Sequence, residues 1–439
     1  MHALAPLGLA GTLRWQTFRT LERLAALRAA PAAAAPLPTP RPGARWLWLY
    51  VSTIGELNAI HPFLDALLAR LGAPPLLLLT DHTLYRTAYL GRLGGHEVEI
   101  VDIAAPLDYA ALAARCPPAL LLIAEIPGLL HDAPCRFPFA LPLAAARAGA
   151  PRVLVNGWLY GAGPSCRMDA IERDWFGTAY PRLLDLCLVQ NAAVRERLLA
   201  AGADPARVEV TGNIKFDALT TAPRTPPAER AALLDAIAAS GRPCIVTGCV
   251  TNVAEQQAVL DAHATVLAAH PQALLVLTPR HPEKPERMAT LAELLAARGL
   301  SAAWRSGRHP GAWHDAQVLV LDTFGELADF YRIGHVCYVG LNHNVLEPLA
   351  VGRPVQVTPG WEPLYPSYPV YVALRDAGAI EEVPSEAALG AAWVRALAAR
   401  DTGAGAGVAA ALAAARALAG ATARDLAALE RHGLLPATA

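Results

Sequence analysis

Gly55-Glu56 lies between a short apolar run and an amphipathic stretch, where a strand would hand over to a helix. A glutamate in that turn could serve as a general base on a hydroxyl. The same place suits a helix-capping carboxylate, stabilised by free N–H groups and the helix dipole. Further along, Pro279-Arg280-His281-Pro282 ends a strand with a guanidinium able to clamp phosphate. Asp322-Thr323-Phe324-Gly325-Glu326-Leu327 is another strand-to-helix turn, whose glycine and backbone N–H groups suit an anion. His343-Asn344-Val345-Leu346-Glu347-Pro348 presents an amide and a carboxylate suited to ribose hydroxyls. These turns share one half of the chain, which points to a nucleotide site.

Basic composition singles out one more residue. Of 37 Lys and Arg residues only Lys215 and Lys284 are lysine. A lysine kept in an arginine background suggests a need for a compact ammonium. The 7 cysteines form no CxxC pair, so a reducing compartment fits better than a disulfide framework, and no zinc site is expected. No Asp-x-Asp sequence, P-loop or GxGxxG occurs, which disfavours nucleotide hydrolases and ordinary dehydrogenases.

Short apolar runs at Trp46–Val51, Leu76–Leu79, Val98–Val101, Leu120–Ile123, Val153–Val155, Leu186–Val189 and Val208–Val210 alternate with helical patterns. Buried strands alternating with helices imply parallel α/β layers. The stretch ALTTAPRTPP, residues 218–227, reads as a hinge, after which the alternation restarts at Cys244–Thr247. The plan is two doubly wound halves, with ligands at the carboxyl ends of strands in a central cleft. Residues 1–30 combine leucines with arginines and suggest an amphipathic surface helix, too short in its uncharged part to span a bilayer. A helix packed on its own domain is the alternative. With 439 residues, 54% hydrophobic, 17% charged and net charge −1, the chain is neither disordered nor a general nucleic-acid binder.

From about Trp46 to Ile380 these segments, in this order, resemble the 3-deoxy-D-manno-octulosonic acid (Kdo) transferases of lipopolysaccharide synthesis. The matching motifs are Gly55-Glu56, Gly212-Asn213-Ile214-Lys215-Phe216-Asp217, Pro279-Arg280-His281-Pro282-Glu283 and the segments beginning at Asp322 and His343. The resemblance implies a two-domain GT-B glycosyltransferase fold and transfer of Kdo from CMP-Kdo to a lipid A precursor. By it, Glu56 is the general base, while Glu125 and Lys215 stabilise the transition state. Pro279, Arg280, Phe324, Gly325, Glu326, Asn344, Val345, Leu346 and Glu347 would hold CMP, with no metal or other cofactor. The implied setting is peripheral, at the cytoplasmic face of the inner membrane.

The sequence departs from the family pattern in places. Asn156-Gly157-Trp158-Leu159-Tyr160 stands where the family has Asn-Ala-Arg-Leu-Ser, and Gly248-Cys249-Val250-Thr251 only echoes Gly-Ser-Thr-His. The glycine-rich stretch before His343-Asn344 is shortened to Gly340-Leu341-Asn342. Most departures fall in the acceptor half. A UDP-sugar GT-B transferase or epimerase, and a degenerate CMP- or lipid-binding scaffold, are the competing readings. The expected domains are an N-terminal segment and linker (1–45), an acceptor-side domain (46–217), a hinge (218–240), a CMP-sugar domain (241–385) and C-terminal helices (386–439).

Overall fold

The structure is a computed structural model that describes residues 8–28, 35–104, 106–129, 132, 135, 137–164, 166–221, 225–307, 312–363, 365, 367–401 and 406–435. The chain divides into two compact units, Met1–Asp217 with Gly420–Ala439, and Ala218–Ala419.

The first unit is built on β1 (Trp46–Tyr50), β2 (Leu76–Thr80), β3 (Val98–Asp102), β4 (Pro118–Ala124), β5 (Arg152–Gly157), β6 (Leu186–Val189) and β7 (Val208–Val210). They form one sheet, ordered β3-β2-β1-β4-β5-β6-β7, with every pairing parallel. Both faces are covered, which is why these strands read as unbroken apolar runs. Along β1, Trp46, Trp48 and Tyr50 enter one core, and Leu47, Leu49 and Val51 enter the other.

The second unit contains β8 (Cys244–Val250), β9 (Leu274–Pro279), β10 (Ala302–Trp304), β11 (Val318–Val320), β12 (Val336–Val339), β13 (Val355–Val357) and β14 (Glu381–Glu382). Their order is β10-β11-β9-β8-β12-β13-β14, again all parallel. Crossover helices such as Val253–Ala269 and Leu389–Asp401 cover one face around Trp393 and Tyr338.

Three boundaries differ from those read off the sequence. Residues 228–239, placed in the hinge, form a helix of the second unit. Residues 386–439, read as one block of helices, split at Gly420, whose φ of +94° ends the helical run. The Asp217 carboxylate accepts the N–H groups of Gly420, Ala421 and Thr422 at 2.5, 3.1 and 2.7 Å. That cap returns the helix Ala421–Arg431 to the first unit, where Ala421, Ala428 and Leu429 join the core beside Leu57 and Ile60. The N-terminal helix Gly8–Arg28 buries Trp15 and Phe18 against Phe139 and Phe176, so it packs on its own unit. Its outward side still exposes Leu13, Leu21 and Leu24. Most of the predicted linker's first residues lie outside the described ones.

Candidate active site

The first unit gathers an acid/base cluster at the carboxyl ends of β1, β4 and β5. Thr53 caps the helix Ile54–Arg70, and its hydroxyl accepts the Glu56 N–H at 3.3 Å. Glu56 reaches back: Oε2 accepts the Ser52 N–H at 2.7 Å and Oε1 accepts the Thr53 hydroxyl at 3.3 Å. This is a capping box whose glutamate also takes the amide one residue before the cap. Glu56 therefore does cap its helix, and it does more than that. Its side chain is 5% exposed. Burial, and then the charge of Glu125, pushes its carboxyl up to about 8, against the lowering bond from the Ser52 N–H. A carboxyl poised there can exchange a proton near neutral pH.

Glu125 follows β4 with φ +57°, and Asn156 in β5 has φ +56°. Two adjacent non-glycine residues in the left-handed region mark a locally strained site. The side chains meet: Asn156 Nδ2 donates to Glu125 Oε1 at 2.8 Å, and Lys215 Nζ lies 3.1 Å from the same oxygen. The Tyr160 hydroxyl donates to Oε2 at 2.5 Å. Asn156 Oδ1 accepts the Ile214 N–H at 3.0 Å, and Asn213 Oδ1 accepts the Lys215 N–H at 3.0 Å. The Gly212–Asp217 motif is thus a turn whose amides and asparagine aim one ammonium at one buried carboxylate.

The second unit holds the remaining sequence-selected residues on loops that follow β9, β11 and β12. Arg280 is half-buried, and the loop carrying His343 joins that after β8 through His343 Nε2 and Thr251 Oγ1, 3.1 Å apart. Burial, with the charges of Arg280 and His281, lowers His343 to about 4, so it is neutral at pH 7. Asn344 Nδ2 donates to Glu347 Oε1 at 3.2 Å, while Asn344 Oδ1 caps Leu346 N–H at 3.1 Å. Burial pushes the Glu347 carboxyl up.

Not every selected side chain is presented to a ligand. Pro279, Val345 and Leu346 are buried, so they can offer only backbone and shape. Glu326 is braced internally: Arg305 and Arg230 lie 2.9 and 3.2 Å from its carboxylate, and the Thr323 hydroxyl donates to it at 2.9 Å. The outward parts of that loop are Phe324, 71% exposed, and Gly325, whose φ is +74°.

Residues outside the selected set complete the site. Tyr160 and Asn156 hold Glu125, and Glu255 with Thr251 joins the loops after β8 and β12. Tyr160 and Thr251 stood in the sequence only as departures from a pattern; hydroxyl roles of this kind carry no spacing signal. Among the described residues, no group of three or more His, Cys, Asp or Glu is placed to hold a metal ion.

Two doubly wound parallel units with chemistry-bearing loops at their carboxyl strand ends define a GT-B glycosyltransferase fold. Residues 19–218 match the family described as 3-Deoxy-D-manno-octulosonic-acid transferase (kdotransferase). The 3-deoxy-D-manno-octulosonic acid transferase of Bordetella pertussis is 32% identical over 331 residues, 71% of each chain. That of Haemophilus influenzae is 31% identical over 182 residues, 39% of this chain and 40% of its own. The chain belongs to this family. Among solved structures, UDP-GlcNAc 2-epimerase from Neisseria meningitidis bound to UDP-GlcNAc is 14% identical with a TM-score of 0.56, covering 88% of this chain and 100% of that one. A glycosyltransferase from Rickettsia africae is 10% identical with a TM-score of 0.57, covering 89% and 99%. At such identities the likeness shows the fold alone.

Proposed function

We propose that this chain transfers Kdo, or a closely related sugar acid, from CMP-Kdo to a hydroxyl of a lipid A precursor, as a step of lipopolysaccharide synthesis. The observation that carries the reading is the buried Glu56, poised near neutral pH beside a carboxylate fixed to Lys215, in a chain of the Kdo transferase family. Ionised Glu56 takes the proton of the acceptor hydroxyl. The hydroxyl oxygen forms the new bond to the anomeric carbon, and the bond from that carbon to the CMP phosphate oxygen breaks, releasing CMP. Arg280 and the backbone amides near Gly325 and Asn344 would bear the charge gathering on that phosphate. Glu125 and Lys215 would stabilise the transition state, and no metal takes part. The enzyme would work peripherally at the cytoplasmic face of the inner membrane, with Leu13, Leu21 and Leu24 against the lipid. No described helix is long and apolar enough to cross a membrane.

The test is CMP release from CMP-Kdo with a lipid A precursor, alongside a thermal-shift comparison of CMP, UDP, GDP and ADP. CMP release and selective stabilisation by CMP support the reading. Binding of CMP without turnover would indicate a scaffold, and selective stabilisation by UDP would indicate a UDP-sugar enzyme. Deleting residues 1–30 should move the protein to the soluble fraction. An unchanged membrane fraction would place the anchoring elsewhere.

A further inference from the structure

Tyr160 lies beyond the three residues assigned to the chemistry, but its hydroxyl touches one of them. It is 6% exposed, and its O–H donates to Glu125 Oε2 at 2.5 Å. The segment that presents it is pinned at both ends. Trp158 N–H donates to the Glu125 carbonyl at 2.9 Å, and the N–H groups of Tyr160 and Gly161 converge on Asp132 Oδ1 at 2.5 and 2.8 Å. Burial and the nearby charges of Glu125 and Glu56 push the phenol well above its ordinary range, so this hydroxyl is a donor throughout the working pH range. Glu125 consequently has both oxygens engaged, Oε1 by Asn156 and Lys215 and Oε2 by Tyr160.

We propose that Tyr160 is a positioning residue for the acid/base pair: its hydroxyl and the Lys215 ammonium together draw charge from Glu125, so that Glu56 faces a screened carboxylate. The proposal rests on Glu56 acting as the base. A bare carboxylate in a buried site holds the proton of its neighbour more tightly. Other groups of this unit also face Glu56. They are Tyr50 on β1, Asp81 after β2, Tyr89 on the helix Arg86–Arg92, and Cys135, with His82 against Ser52. None of them touches Glu125 in the way that Tyr160 and Lys215 do.

The test is the pH profile of CMP release by the full chain and by Tyr160→Phe, which keeps the ring and removes the hydroxyl. Below the rising limb, turnover should fall about three- to tenfold, equivalent to half to one pKa unit. It should recover towards the wild-type rate as pH is raised, while CMP affinity stays unchanged. Lys215→Met should displace the limb further in the same direction. A rate lost equally at all pH values, or an unmoved limb, would overturn the proposal. If the wild-type chain does not release CMP from CMP-Kdo, the functional reading fails by itself. The Glu56 carboxyl-carbon NMR titration, assigned with Glu56→Gln, then decides for Tyr160: an upward displacement in Tyr160→Phe supports its role, and an unchanged curve overturns it.

Discussion

Glu56 and Glu255 occupy the same place in the two units. Each stands in the first turn of the helix after its unit's first strand, and each reaches back to the backbone. Glu56 Oε2 accepts the Ser52 N–H at 2.7 Å, and Glu255 Oε2 accepts the Thr251 N–H at 2.6 Å. Thr53 caps one helix and Asn252 the other, each accepting the N–H of its glutamate. Burial raises both carboxyls. The difference lies in the other oxygen. Glu255 Oε1 accepts the Leu341 N–H at 3.1 Å and the Tyr338 hydroxyl at 3.3 Å, which ties the loop after β8 to the loop after β12. Glu56 Oε1 has only the long bond from Thr53, and its neighbour in the cluster is a second carboxylate. One capping device thus yields a brace in one unit and a proton-exchanging group in the other. Capping and catalysis are not alternatives at Glu56.

That contrast can be broken by substitution. Glu56→Gln keeps an acceptor for the Ser52 N–H and removes the base, so turnover should fall by at least about 10²-fold. CMP affinity, read by calorimetry, should hold. Arg280→Ala in the other unit should do the converse, weakening CMP binding by about 1.5–3 kcal/mol if the guanidinium meets phosphate. Unchanged CMP affinity would remove Arg280 from the site. Glu255→Gln should cost about 1–3 kcal/mol in denaturant titration, because its new NH₂ must face an N–H that the carboxylate satisfied. Turnover at saturating donor should survive while the donor KM rises. Stability equal to that of Glu56→Gln would erase the distinction between the two sites.

The smallest effect is the pH dependence of stability. Glu56 has an ordinary value of 4.5 and a folded value of about 8. The folded state therefore binds this proton more tightly. The associated stability is full below about pH 4.5 and is lost as pH rises through about 8. Glu56→Gln, which cannot ionise, should gain on the wild type as pH is raised across that window. A constant difference would show that Glu56 does not titrate there.

Much of this architecture is legible in the residues because parallel strands covered on both faces read as apolar runs; Leu76–Thr80 and β4 leave little choice. The Gly212–Asp217 motif likewise announced Lys215. What could not be read depends on contacts distant in sequence or on special backbone geometry. The return of Ala421–Arg431 hangs on Asp217, more than 200 positions earlier, through three N–H bonds. The cradle around Glu125 needs two left-handed residues that no glycine marks. Glu326 looked like a ligand contact from its turn, yet Arg230 and Arg305, remote in sequence, hold its carboxylate.

The most direct test of Glu56 as the base is the pH dependence of CMP release from CMP-Kdo at limiting acceptor, measured on the wild-type chain and on Glu56→Gln. Glu56 as the base predicts a wild-type rate that climbs with pH and levels above about 8, where its carboxyl is ionised. It predicts a residual Glu56→Gln rate at least about 10²-fold lower, with that limb gone. A Glu56→Gln enzyme that keeps both the rate and the limb would contradict it, and would leave Glu56 a helix cap alone.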